Sequence, residues 1–555
     1  MRTTLFSAYR RSIRFLVLFL ALFLASASEG AIRYVNINAG GNNDGSSWAN
    51  AFVSLQDALS AAASGDEIWV AAGIYRSTTG IDRSISFVLK NGVALYGGFA
   101  GTETSRTQRK WDVNETVLSG NIGAPGEIAD NSFHVVVADG TNATAVLDGF
   151  TITGGNANGT TDERKRGGGM YNDGGSPTVK NCRFVSNRAE KDGGGIFTYN
   201  ASPSVTDCTF VENSAGEHGG GMHIWWNASS PVLTNCTFSS NTAYWGGGVC
   251  TYLSAAPKFI ECVFEHNFAS GYGGAMFHED GRPEVLRSVF SGNRAVLDGG
   301  AIYTKGGAAK TIKDSTFSQN SAGQNGGAMY NQYVFGGLSI TGSTFFGNMA
   351  QAGGGALYNF SASSPVITNC TFSENGATAG GGIFTTNSSN PVLLNCTFAG
   401  NRADFGGRAL HVRQSSNPVA TNCIFWGNGS AFGQIQIENT ATLTATYSIT
   451  DQPGTGNITD DPLLSALADN GGPTRTHALL IGSAAVNAGT STGAPATDQR
   501  GVARPQGAGV DIGAFEQGGA TPVPVPPSSG GGGCGVGFSP WALLLILPLL
   551  VLPRR

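Results

Sequence analysis

Between residues 167 and 428 the apolar positions fall in short runs of Val, Ile, Phe and Met separated by Gly, Asn, Ser and Thr, without the three-and-four spacing of an amphipathic helix. One phrase organises them: a small residue, a spacer, then Phe-x-x-Asn. It occurs ten times, from Cys182-Arg183-Phe184-Val185-Ser186-Asn187 to Cys423-Ile424-Phe425-Trp426-Gly427-Asn428. Successive copies are 26, 28, 26, 26, 27, 28, 27, 26 and 27 residues apart, a structural period. Each copy follows a glycine cluster, an aliphatic residue and usually an aromatic, as in Gly193-Gly194-Gly195-Ile196-Phe197 and Gly326-Gly327-Ala328-Met329-Tyr330. A period of this length, with glycine turns and runs of strand-forming residues, predicts an all-β right-handed parallel β-helix with one repeat per coil. The consensus has room for three short strands and three turns in each coil. At ~4.8 Å per coil, ten coils make a rod of roughly 50 Å.

Stacked coils turn each repeat position into a ladder. Phe184, Phe210, Phe238, Phe264, Phe290, Phe317, Phe345, Phe372, Phe398 and Phe425 predict a continuous aromatic core. The ten asparagines from Asn187 to Asn428 predict an amide ladder at a turn, where asparagine tolerates left-handed backbone angles. Cys182, Cys208, Cys236, Cys262, Cys370, Cys396 and Cys423, with Ser288, Ser315 and Ser343 between them, share a third position. Parallel side chains, an odd count and free exchange with serine predict buried reduced thiols and not disulfides. A row beside the aliphatic position, running from Tyr171 through Phe197, His223, Phe277, Tyr303, Tyr330, Tyr358 and Phe384 to His411, is either core or an outward platform for sugars or a partner.

The motifs G-G-[AG]-[ILMV] and F-x-x-N resemble the repeats of chlamydial polymorphic outer-membrane proteins, and their stacking resembles the pectin-lyase-like superfamily. Two flanking segments resemble exported bacterial β-helix proteins of the choice-of-anchor Q type. One contains Gly45-Ser46-Ser47-Trp48, Leu55-Gln56-Asp57-Ala58-Leu59 and Gly65-Asp66-Glu67-Ile68-Trp69-Val70; the other contains Asp469 to Thr474, Asp498-Gln499-Arg500-Gly501 and Asp511 to Glu516. The resulting layout is an N-terminal cap over 32–100 with a helix near Gln56–Ala63, a repeat core over 150–428, and a C-terminal cap over 429–517. The translocating barrel of the polymorphic proteins has no counterpart here.

The ends predict export. Arg10, Arg11 and Arg14, the apolar run Phe15 to Leu24 and Ala25-Ser26-Ala27 form a secretory signal over residues 1–27 cleaved after Ala27; the arginine pair fits a twin-arginine signal poorly. A Pro/Gly-rich linker, 518–533, leads to Cys534, the apolar stretch Phe538 to Leu552 and Arg554-Arg555. That tail, 534–555, resembles Synerg-CTERM, GlyGly-CTERM and Myxo-CTERM sorting signals, which implies processing near Cys534 and display at the bacterial surface or release; a plain membrane anchor is the alternative. Membrane contact is thus expected only through the tail.

With 33 basic and 38 acidic residues, a net charge of -5 and a pI near 5.8, the chain has no basic field for nucleic acid. Acidic positions just before the glycine turns, Asp192, Glu217, Glu279, Asp280, Asp298 and Asp404, change identity from coil to coil and read as solvated turn residues. Asp460-Asp461-Pro462 reads as a turn. His218, His223, His266 and His278 lie in neighbouring coils without recurring ligand spacing and read as surface residues, so no metal is expected; calcium, which lyases of the resembled superfamily use, has no support in the residues. No catalytic residue is assigned. Trp225, Trp226, Tyr244 and Trp245 are the candidate binding residues. The expected role is adhesion or non-catalytic binding of an extracellular polysaccharide or a host or neighbouring cell-surface protein. The alternatives are a polysaccharide lyase or glycoside hydrolase, and a structural surface spacer.

Overall fold

The computed structural model describes residues 30–518, apart from 125, 227–228, 308–309, 336 and 430–432. The calls on Ala27, Cys534, the signal, the linker and the sorting tail lie outside them. Among the described residues no helix is long and apolar enough to cross a membrane.

The chain winds as an all-β parallel solenoid. One coil visits four sheets, not the three strands expected. In the coil that opens the repeat core these are Thr178–Lys180 in sheet I, Arg183–Val185 in sheet II, Arg188–Ala189 in sheet III and Ile196–Tyr199 in sheet IV, before Ser204–Thr206 returns to sheet I. The sheets hold 15, 13, 10 and 13 strands respectively. The strands of sheet III in most coils are only two residues long, too short to show alternation in the sequence. Register is one repeat per step, Phe184 opposite Phe210 and Ile196 opposite Met222.

The phenylalanine ladder is the spine of the core. Its rings are fully buried and stack nearly parallel, with centroids 4.4 Å apart for Phe210–Phe238 and 5.0 Å for Phe184–Phe210. The asparagine ladder is buried beside it, but its members do not supply the left-handed backbone. Positive φ falls on the residue before each, for example Ser186 (53°), Glu212 (54°) and Ser240 (56°), and on the residue before each cysteine, for example Asn181 (49°) and Asp207 (53°). The ladder asparagines are there for their amides, which satisfy backbone groups at a buried corner where water is excluded. The ladder cysteines are buried free thiols, as is Cys250. In the serine coils the hydroxyl does the same work, Ser288 Oγ accepting from Cys262 N at 3.1 Å and donating to Leu286 O at 2.9 Å.

At the N-terminal end the short helix α1, Leu55–Ala61, capped by the Ser54 hydroxyl, places Leu55, Ala58 and Leu59 on the first coils. This is the predicted cap helix, ending two residues early. At the other end, Ile435–Ile437 and Thr444–Thr446 extend sheets IV and I. The chain then turns back along the outer face of sheet II. Thr344 Oγ1 donates to Arg475 O (2.6 Å), Asn369 Nδ2 to Thr497 O (2.7 Å), Thr371 Oγ1 to Gln499 Oε1 (2.7 Å), and Ala514 N to Thr397 Oγ1 (3.0 Å). Two buried ion pairs, Arg500–Asp498 (2.7 Å) and Arg504–Glu516 (2.8 Å), fix this flap, and the Arg500 guanidinium lies 3.6 Å from the centroid of the Phe515 ring.

Candidate functional site

The outer face of sheet IV is covered. Tyr171, Phe197, His223, Cys250, Phe277, Tyr303, Tyr330, Phe384 and His411 are all buried, so the row read from the sequence is a second stack and not an outward platform. Centroid distances of 4.9 Å for Tyr303–Tyr330 and 5.2 Å for Tyr330–Tyr358 continue it through the half-buried Tyr358. The stack is interrupted at His223 and Cys250, and there the surface becomes distinctive.

Two further positions frame that spot. One lies at the end of each sheet IV strand and places Tyr199, Trp225 and Tyr252 side by side. The other is the residue before each first glycine: Arg166, Asp192, His218 and Trp245 follow one another as parallel bridges, and Trp245 pairs with Tyr272. The glycines let the chain turn sharply there, Gly193 and Gly219 both having φ above 60°. The row continues to Asp298, since Gly273 N bonds Asp298 O as Gly246 N bonds Tyr272 O.

These rows gather all four predicted binding aromatics into one surface cluster. Trp245 lies flat on His218 (4.7 Å, 12°), His218 on His223 (5.1 Å, 23°), and His223 parallel to Trp225 (6.0 Å, 11°). Tyr252 meets both histidines edge-on at 4.9 and 5.9 Å. Tyr244 packs on Trp245 (4.4 Å) and Trp226 on Tyr199 (5.7 Å); Trp226 is 44% and Tyr244 37% exposed, whereas Trp225 and Trp245 are half-buried.

Buried beneath the cluster is Asp192, 3% exposed. Its Oδ1 is 2.6 Å from His218 Nδ1 and 3.7 Å from His223 Nδ1, and its Oδ2 accepts from Arg166 Nε at 2.7 Å. Arg166 also lies over the rings of Trp225 (5.0 Å) and Phe197 (5.5 Å). Burial opposes ionisation of Asp192. The positive charge that His223 and His218 can carry and the hydrogen bonds from His218 and Arg166 outweigh it, holding the carboxyl well below the usual range. Burial pushes His223 down to about 3, so at neutral pH the site is an ionised carboxylate facing a neutral imidazole. Neither ring nitrogen of His223 has a hydrogen-bond partner. Glu217 stands at the rim, 3.9 Å from His218.

Asp192, His218 and His223 were each noticed in the sequence, but not as a unit, and they are not the surface residues expected of the histidines: His218 is half-buried and His223 buried. The structure separates the other two histidines from them. His266 is exposed in a turn, and His278 points into the solenoid interior, lining a small cavity with Lys310. Arg166, Tyr199 and Tyr252 were missed; the signal that finds Arg166 is its place before Gly167. The remaining acidic candidates are spread out, Glu279 pairing with Lys305 (2.6 Å), Asp298 accepting from Asn325 (2.9 Å) and Asp461 holding the turn at Leu463 (2.8 Å).

A search among curated proteins finds no match to this chain. Among solved structures, the crystal structure of pectate lyase Pel9A aligns with 88% of this chain and 97% of its own, at 14% identity and a TM-score of 0.33; no residue role is transferred from it. The family model of the right handed beta helix region matches residues 81–238, 224–348 and 273–449, together more than half of the sequence. With the stacked parallel coils described above, this chain belongs to the right-handed beta helix family.

Proposed function

We propose that this protein is an exported, surface-displayed or released β-helix that binds an extracellular polysaccharide on the aromatic cluster of Trp225, Trp226, Tyr244 and Trp245 without cleaving it. The observation that carries the reading is the cluster of aromatic rings, Trp226 and Tyr244 among them exposed, with the exposed Glu217 at its edge. Sugars present apolar C–H faces that pack on Trp and Tyr and hydroxyls that hydrogen-bond to a carboxylate. Tyr199, Trp226 and Tyr244 widen the wall at the exposed rim.

Cleavage fits less well. Hydrolysis of a glycosidic bond uses two carboxyls about 5–9.5 Å apart, one of them kept protonated. Asp192 is held ionised, and both of its oxygens are engaged. The carboxyl of the same row that burial raises is Asp298, four coils further on, roughly 19 Å at ~4.8 Å per coil. The two cannot flank one bond.

A polysaccharide array run with the purified chain, scoring retention and release of shortened or unsaturated products with and without calcium, tests the reading. Retention without release is expected. Product release overturns it in favour of a lyase or hydrolase, and silence on both counts favours a protein ligand or a spacer.

A further inference from the structure

We infer that Asp192, His218 and His223 form a three-ligand site for a divalent transition metal of the zinc class, set into the flank of the solenoid between consecutive coils. This goes beyond the carbohydrate reading and does not rest on it.

The argument begins with His223. It is 3% exposed, and both of its ring nitrogens lack a partner. A buried imidazole left this way forfeits hydrogen bonds that water would have given. Its Nδ1 is 3.7 Å from Asp192 Oδ1, too far for a hydrogen bond and close to the separation of two atoms bound to one ion. Zinc bonds of about 2.0–2.2 Å at tetrahedral angles put ligand atoms roughly 3.3–3.5 Å apart. One ligand atom from each of Asp192, His218 and His223 lies within 4.8 Å of the others. The 2.6 Å between Asp192 Oδ1 and His218 Nδ1 opens, and the 3.7 Å to His223 closes, by under an ångström to reach that spacing, while the third separation, within 4.8 Å, closes by up to about 1.5 Å.

The chemistry of the donor set chooses the ion. Two imidazoles and one carboxylate suit zinc, cobalt or nickel, whereas calcium takes six to eight oxygens and magnesium keeps mostly water. The surroundings suit it as well. Arg166 holds Asp192 Oδ2, fixing the carboxylate and leaving Oδ1 turned toward the histidines, as outer partners of metal ligands do. Trp245 and Tyr252 wall His218 and restrict its ring. Three protein ligands leave a tetrahedral ion one position for water or an incoming oxygen.

The test is a Co2+ titration of the full chain after chelator treatment, read by visible absorption, followed by displacement with Zn2+ and by thermal melting. One equivalent of Co2+ with the intense visible bands of a four-coordinate ion, bleached by Zn2+, is expected, with a higher melting temperature in the loaded protein. His218→Ala and Asp192→Asn should weaken binding by about 100-fold or more, while Asp404→Asn, exposed in a distant coil, leaves it unchanged. His218 is half-buried and its alanine variant keeps the coil, which circular dichroism of the metal-free protein checks; this avoids relying on the fully buried His223. Absence of the bands at millimolar Co2+ overturns the inference. So does a band that persists in His218→Ala, which places the ion elsewhere in the chain.

Discussion

Asn267 Oδ1 accepts two hydrogen bonds from Asn241 in the preceding coil, from its backbone N–H at 3.1 Å and its side-chain amide at 3.0 Å, while Asn267 Nδ2 donates to Phe238 O at 2.8 Å. One side chain therefore satisfies three groups of an older coil at 0% exposure. Asn267→Ala strips all three. With 1–3 kcal/mol for each unsatisfied buried group, the loss is expected to be about 3 kcal/mol or more. Hydrogen exchange should show it as faster exchange at the Asn241 and Asn267 corners before any global change.

The neighbouring ladder responds to volume instead. Phe264 stacks on Phe238 and Phe290 at 4.9 and 4.8 Å. Phe264→Ala should cost about 3–5 kcal/mol and Phe264→Leu much less, since leucine refills most of the cavity. Urea denaturation of the two variants against the parent reads the difference.

Among the described residues eight thiols are buried and unpaired. Burial pushes Cys208, Cys370 and Cys423 well above the ordinary thiol range, so they stay protonated and unreactive. A chromogenic thiol reagent should find none of the eight in the native protein and all of them in denaturant. Replacing the seven ladder cysteines by serine should leave the fold intact, since Ser288, Ser315 and Ser343 already make the same bonds.

Acid should weaken the solenoid through its interior histidines. Burial, reinforced by Lys310, pushes His278 down to about 3, whereas the unfolded residue titrates near 6.5. Between those values the unfolded chain holds the extra proton, so stability falls as pH falls from about 6.5 to 3 and is constant above. His278→Thr, matching Thr251 and Thr304 on either side, should shrink the difference in unfolding free energy between pH 7 and pH 4 by about 3 kcal/mol. Urea titrations of parent and variant at the two pH values test it.

Trp245→Ala removes the ring that lies on His218 and supports Tyr244. Retention of a polysaccharide identified on the array should drop about tenfold, equivalent to about 1.4 kcal/mol, by isothermal titration. An equal loss from Phe405→Ala, exposed six coils further along, would count against the cluster as the binding place.

The ladders were legible because a solenoid repeats one environment: Phe184 and Phe425 sit in the same place, so their identity announces it. Sheet III was not, because Arg188–Ala189 is too short to carry a pattern. The aromatic cluster was half legible. Its tryptophans stand out by size, but Asp192, His218 and His223 come from two different repeat positions, and only the outer wrapping of the glycine turn against sheet IV brings those positions face to face. The Tyr-to-His row could not be oriented from the sequence, since a strand covered on both sides shows no alternation.

The least legible feature was the flap. Gln499 Nε2 donates to Thr344 Oγ1 across 155 residues of chain, a contact with no repeat to predict it. The outward position of sheet II is exposed or half-buried at Arg183, Thr209, Thr237, Val263, Val289 and Thr316, then buried at Thr344, Thr371, Thr397 and Ile424, where the flap lies. The middle coils are held only by the coils above and below, as in a one-dimensional array. The last four are also stitched together from the side by a segment that touches all of them. They are therefore expected to open together as one cooperative block, and since the flap has no surface to dock on until those coils exist, it closes after them.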